Sequence, residues 1–312
     1  MKESIDKLAR DGTSRGDLKI LSRTLRELRY AFKVFAPYRR QRKVSVFGSA
    51  RTCAEEPAYQ QAVRFGRAMA AHDWFVVTGA SAGIMEAGHR GAGREHSMGL
   101  NILLPFEQDV NPVIADDAKL VHMKYFFTRK LMFVKESDAV VCLPGGFGTL
   151  DEALETLTLL QTGKRDMLPV VLLDVPGGEY WQALQQFTEG QLVRGGMISP
   201  QDLSLYKITD DCDEAVNEVL SFFRVYHSMR YVKRHLVLRL HERPADERLE
   251  EIQTRFADIL VDGRFELRDA LPEERGEPSL AHLPRLAFHF NRTDHGRLRQ
   301  LIDFLNLNPP KA

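Results

Sequence analysis

Cysteine is scarce. The chain of 312 residues carries three, Cys53, Cys142 and Cys212, too few and too widely spaced for a disulfide framework or a zinc site. Cys142 lies in an apolar run, where a small buried hydrophobe is expected. An excess of charge of either sign is also missing: 43 Lys and Arg balance 43 Asp and Glu. That balance excludes a global basic field acting on nucleic acid or an anionic membrane. The basic run Arg39-Arg40-Gln41-Arg42-Lys43 is accordingly read as a solvated linker. No stretch is long and apolar enough to span a bilayer. The start, Met1-Lys2-Glu3-Ser4-Ile5-Asp6-Lys7, lacks the apolar centre of a secretory signal, so a cytoplasmic location with neither membrane nor nucleic-acid partner is expected. Two nucleotide motifs are absent as well. No Gly-x-x-x-x-Gly-Lys followed by Ser or Thr occurs, which argues against a P-loop ATPase. The first strand ends in Gly48-Ser49-Ala50-Arg51 instead of Gly-x-Gly-x-x-Gly, and no acid closes a second strand to hold an NAD ribose. A mononucleotide fits better. His89 and His122 lack partners at metal-ligand spacing and are read as structural; neither a metal nor a cofactor is expected.

What is present is an ordinary globular composition, 44% hydrophobic and 28% charged, sufficient for one α/β domain and a smaller one. After a helix over 18–35, strand-like and helix-like segments alternate. Strands are expected at Val44 to Phe47, Trp74 to Val77, Leu100 to Leu104, Leu120 to His122, Ala139 to Leu143 and Pro169 to Leu173. Helices are expected at Tyr59 to Ala71 and from about Phe126 and Thr149. This predicts an α/β fold, a doubly wound parallel sheet covered on both faces, with ligand beyond the strands' carboxyl ends. Three strands end in small-residue turns: Gly48-Ser49, Gly79 to Gly83 and Gly145 to Gly148. Further on, strands at 234–241, 264–268 and 285–290, helices at 246–260 and 296–305, and a polar loop at Pro272 to Pro278 suggest a small α+β unit. The expected organisation is a helical segment 1–42, a nucleotide-binding domain 43–227 and a C-terminal α+β domain 228–312.

The most informative segment is Pro144-Gly145-Gly146-Phe147-Gly148-Thr149-Leu150-Asp151-Glu152, which joins an apolar strand to a helix. Gly145, Gly146 and Gly148 allow close approach of backbone to an anion, and the helix start offers free N–H groups and a positive dipole end. Thr149 adds a hydroxyl, and Glu152 stands one turn in. A well-capped strand-to-helix turn is the plainer alternative. Were a bound mononucleotide to be cleaved at its ribosidic C–N bond, positive charge would build on the sugar and negative charge on the departing base, a step that calls for a carboxylate near the sugar and donors near the base or phosphate. Glu152 is the carboxylate: it can bond the ribose hydroxyls, stabilise the oxocarbenium-like transition state, or orient water. Arg129 supplies a fixed cation.

The nine-residue segment resembles the Pro-Gly-Gly-x-Gly-Thr-x-x-Glu signature of the LOG ("lonely guy") family, and Phe127-Thr128-Arg129-Lys130 resembles that family's Arg-Lys pair. Gly48-Ser49-Ala50-Arg51 and Gly83-Ile84-Met85-Glu86-Ala87 resemble its first two turns. The resemblance covers roughly residues 43–223. It implies a modified Rossmann-like fold, a homodimer or larger assembly, and hydrolysis of nucleoside 5′-monophosphates to free base and ribose 5-phosphate. It also implies catalytic roles for Arg129 and Glu152. Substrate contacts are implied for Gly48, Ser49, Gly83, Met85, Glu86, Lys130, Gly145, Gly146, Gly148 and Thr149. For Glu86 a plain helix-start role is an equal alternative. An older description of the family as lysine decarboxylases finds no support, since nothing marks a pyridoxal-phosphate site. Plant-type members carry Met-His-x-Arg-Lys where this chain has Tyr125-Phe126-Phe127-Thr128-Arg129-Lys130, which weakens the case for a cytokinin precursor. Phe126 and Phe127 either stack on a base or belong to the core. A non-catalytic nucleotide or molybdenum-cofactor carrier on the same fold is the alternative function.

Overall fold

The computed structural model describes residues 2–103 and 110–307. Helices α1 (Lys2–Arg10) and α2 (Arg15–Phe35) come first. Ser14 caps α2, its hydroxyl accepting from the Asp17 amide at 3.1 Å. Then follow β1 (Lys43–Phe47), α3 (Pro57–Ala71), β2 (Phe75–Thr78), α4 (Ile84–Ala92), β3 (Ser97–Ile102), β4 (Leu120–Met123), α5 (Phe126–Glu136), β5 (Ala139–Cys142), α6 (Phe147–Gln161), β6 (Val170–Leu173), α7 (Tyr180–Phe187), β7 (Lys207–Thr209) and α8 (Cys212–Phe222). The expected end of the third strand, Leu104, lies outside the described residues. The helix expected from Thr149 opens two residues earlier, at Phe147.

The seven strands form one parallel sheet in the order β4-β3-β2-β1-β5-β6-β7. Order reverses at β1, whose neighbours are β2 and β5. The three small-residue turns leave β1, β2 and β5, so they converge on the crevice at that reversal. Side chains alternate across the sheet. Val44 and Val46 of β1 enter a core with Phe65 of α3 and Ile84 of α4, while Phe47 faces the opposite core with Phe133 of α5. Burial on both faces explains why these strands read as continuous apolar runs.

The chain continues through β8 (Tyr226–Val232), β9 (His235–Leu240), α9 (Asp246–Arg255), β10 (Leu260–Arg268), β11 (Arg285–Phe290) and α10 (His295–Asn306). Here four strands form an antiparallel sheet, β10-β11-β9-β8. The division expected at 227/228 falls within β8. Leu236, Leu238, Phe288 and Leu301 share one buried cluster with Phe222 and Leu168 of the parallel-sheet region. The helix expected over 246–260 stops at Arg255, and the strand expected from Arg264 begins at Leu260. Register breaks between Leu260 and Glu266, with Gly263 at φ +75°, hide the strand's alternation. No helix among the described residues is long and apolar enough to cross a membrane.

Candidate active site

An open cleft of about 960 Å³ lies over the three converging turns, a size that suits a small ligand. Its wall includes Gly48 and Ser49 from the β1 turn, Met85 of α4, Arg129 of α5, and Gly146, Gly148, Thr149 and Glu152 around the start of α6. Eight of the sequence-derived candidates therefore meet in one place.

The turns are locked together by their own backbone. The Ser49 amide donates to the Pro144 carbonyl at 3.2 Å, and the Ile84 amide donates to the Ser49 carbonyl at 3.0 Å. Tyr180 Oη donates to the Gly145 carbonyl at 2.6 Å. A Cβ on Gly145 would meet Thr149 Oγ1 at 2.2 Å and the Ser49 nitrogen at 2.9 Å; one on Gly83, at φ +65°, would meet the Ser49 carbonyl oxygen at 2.3 Å. These two glycines let turns approach each other and do not line the cleft. Gly146 and Gly148 differ: a Cβ on either meets nothing within 4 Å. Their open side faces the cleft, where a ligand can come close to the backbone. No side chain caps α6. Among the described residues the amides of Phe147 and Gly148 have no backbone acceptor, leaving donors and the dipole's positive end for an anion.

Glu152 and Arg129 are both largely buried beside this helix start. Glu152 Oε1 lies 3.9 Å from the Arg129 guanidinium and Oε2 lies 3.5 Å from Lys130 Nζ. Burial pushes the Glu152 carboxyl above its ordinary range, and Lys130 and Arg129 pull against that shift. Burial likewise lowers Arg129, opposed by Glu152 and Asp151. Arg129 Nε is buried without a hydrogen-bond partner among the described residues. Its guanidinium lies 5.1 Å from the Phe126 ring centroid, a cation–π contact that helps fix it.

Lys130 and Glu86 are not brought to the cleft. The Lys130 ammonium lies 2.7 Å from Glu155 and 2.9 Å from Asp151. Successive helical residues point about 100° apart, so Arg129 and Lys130 cannot present to the same surface. Glu86 accepts from Arg90 at 2.8 Å and from Tyr59 Oη at 3.4 Å. Phe126 lines the cleft half-exposed, while Phe127, equally exposed, stacks on Tyr125; neither belongs to the core.

Arg51, Ser81, Asn101 and Phe147 also line the cleft without having been singled out as contacts from sequence. Asn101 is buried at the end of β3, where its Nδ2 donates to the Gly79 carbonyl at 3.3 Å. Only the sheet order brings β3 to the site. The buried His89 bonds Thr78, Asn111 and the Met98 carbonyl, which ties down the turn after β2. Its imidazole is pushed down to about 4 by burial. Cys142 is fully buried and its thiol is pushed strongly up by that burial.

The family model described as "Possible lysine decarboxylase" matches residues 78–219. Cytokinin riboside 5′-monophosphate phosphoribohydrolase LOG7 of Arabidopsis thaliana is 30% identical over 186 residues, covering 58% of this chain and 82% of the relative. The chain belongs to the LOG family. Cytokinin riboside 5′-monophosphate phosphoribohydrolase LOG1 of the same plant is 47% identical over 72 residues, 23% of this chain. That shorter match spans only 32% of LOG1's own length. Among solved structures, the molybdenum cofactor binding protein of Rippkaea orientalis is similar at 19% identity and a TM-score of 0.43, over 58% of this chain and 97% of that one. Such a likeness carries nothing about the ligand.

Proposed function

We propose that this LOG family chain hydrolyses the N-glycosidic bond of nucleoside 5′-monophosphates, releasing the free base and ribose 5-phosphate. The observation that carries the reading is that the open, uncapped start of α6 faces the same cleft as Arg129 and Glu152. A carrier needs the phosphate cradle alone. A buried carboxylate beside an anion site works against anion binding, and Arg129 and Lys130 offset only part of its burial; positive charge developing on a sugar gives it a use that a carrier lacks.

In this reading the phosphate rests on the α6 start, with Thr149 and the backbone of Gly146 and Gly148 around it. Water attacks C1′ as the C–N bond breaks, its electron pair leaves with the base, and a proton ends on the base nitrogen. Glu152 stabilises the sugar's developing positive charge or orients the water, and Arg129 offsets negative charge on the phosphate or departing base. The phosphate is the handle. AMP should therefore be turned over and adenosine should not, with free adenine followed by chromatography. Equal rates for the two would remove the α6 start from binding, and no base from AMP, GMP, CMP, UMP or isopentenyl-adenosine monophosphate would leave the carrier reading.

The same reading includes a homodimer or larger assembly. Leu21 and Leu25 of α2 and Phe127 and Leu131 of α5, two helices that pack on each other, leave large apolar side chains exposed, and these are the candidates for cover by a second copy. Light scattering should give at least twice the chain mass of 35.6 kDa, and Leu131→Asp should lower it. A wild-type monomer at micromolar concentration would overturn the dimer.

A further inference from the structure

Lys130 is the one member of the signature pair that turns away from the cleft, yet its ammonium is 3.5 Å from Glu152 Oε2. The carboxylate is thus held between two cations with different exposures to ligand. Arg129 approaches Oε1 from the cleft wall, and Lys130 approaches Oε2 from behind. A bound phosphate or a base gaining negative charge draws on Arg129 and weakens what Arg129 offers Glu152. Lys130 does not line the cleft and suffers no such competition.

We infer that Lys130 is a positioning residue: it holds the Glu152 carboxylate from the side away from the substrate and keeps it ionised while Arg129 is engaged. The inference rests on the hydrolase reading for Glu152's role. The groups facing Glu152 are few. From α5 come Arg129 and Lys130, from its own helix Asp151 and Glu155, and from β5 the Cys142 thiol. Arg165 lines a small internal cavity that Glu152 also lines. Asp151 and Glu155 both reach Lys130, so the lysine separates Glu152 from two like charges. Removing it takes away an attraction and uncovers two repulsions, and both changes favour the protonated form.

The sign follows directly. Burial already raises the Glu152 carboxyl and Lys130 opposes the rise, so loss of Lys130 moves it further up. If ionised Glu152 is the working form, the acid limb of the pH–rate profile moves to higher pH in Lys130→Met, by about one unit. The limb in kcat reports the loaded enzyme and that in kcat/KM the free one. Because Arg129 is engaged only in the loaded enzyme, the shift in kcat should be at least as large as that in kcat/KM. Lys130→Arg should restore most of the limb. Superimposable profiles for wild type and Lys130→Met would overturn the inference, as would a uniform loss of rate at every pH with the limb unmoved. Absence of base release from wild type would instead count against the hydrolase reading. Carbon-13 titration of the Glu152 carboxyl then remains decisive: an equal midpoint in wild type and Lys130→Met removes Lys130's hold on Glu152 whatever the reaction. Lys130→Gln provides a second variant should the methionine fail to fold.

Discussion

Glu152→Gln is expected to lower the rate of base release at saturating nucleotide by roughly 10²–10³, the scale for removal of one preorganised electrostatic partner. Glutamine keeps the size and hydrogen-bonding reach of the side chain, so α6 and its first turn should stay in place. What disappears is the charge that the proposed mechanism sets against the sugar. Nucleotide affinity should be unchanged or tighter, because a carboxylate repels the phosphate that the proposal seats on the α6 start. Arg129→Ala should behave differently, losing both rate and affinity, since its guanidinium lines the cleft and is the cation there that stands beside Glu152. The contrast between the two variants separates a catalytic carboxylate from a binding one. A folded Glu152→Gln protein that releases base at the wild-type rate would take Glu152 out of the mechanism.

The part of the site that could be read in the sequence is the part encoded by adjacent residues. Pro144 to Glu152 is one strand end, one turn and one helical turn, so its geometry follows from local rules and its candidate chemistry was visible at once. Arg129 and Lys130 show where that kind of reading stops. Adjacent in sequence, Arg129 reads as a catalytic cation and Lys130 as a substrate contact, but their helix separates them, and only Arg129 reaches the cleft. Glu86 was likewise left open, and its tie to Arg90 one turn later answers for it. Asn101 carries no local signal for the opposite reason: it reaches the cleft from β3, three strands from the turn that opens α6, and nothing within β3 encodes that neighbourhood. The parallel sheet was legible because apolar strands alternate with helices. In the C-terminal region, β8 was missed and β10 shortened, because half-exposed strands with irregular register leave a weak alternation.

The polar loop Pro272 to Pro278 is exposed except at one residue, Glu274, and that exception predicts a large loss of stability. The loop inserts Glu274 beneath the second sheet, where its side chain is 1% exposed. Glu274 Oε2 accepts from Arg285 Nε at 3.1 Å and from the Leu271 amide at 3.1 Å, and Oε1 accepts from Arg239 Nε at 2.8 Å. Arg285 is itself fully buried. Burial would raise the Glu274 carboxyl, but the bonds from Arg285, Leu271 and Arg239 outweigh it and hold the group down at about 2. Glu274→Ala leaves two guanidinium groups, both almost without solvent, short of their shared anion, and removal of one partner from such a cluster costs about 3–5 kcal/mol. Urea unfolding followed by far-ultraviolet circular dichroism at pH 7 should show that loss. The pH dependence has a definite sign: a depressed carboxyl stabilises the fold above its unfolded value of about 4.3, and the contribution fades as pH falls towards about 2. Wild type and Glu274→Ala should therefore differ most near neutrality and converge in acid. A difference below about 1 kcal/mol at pH 7 would place the pair in the range of exposed ion pairs and show that the arginines are held well enough by their other acceptors, the Leu283 and Leu280 carbonyls for Arg285 and Glu277 for Arg239.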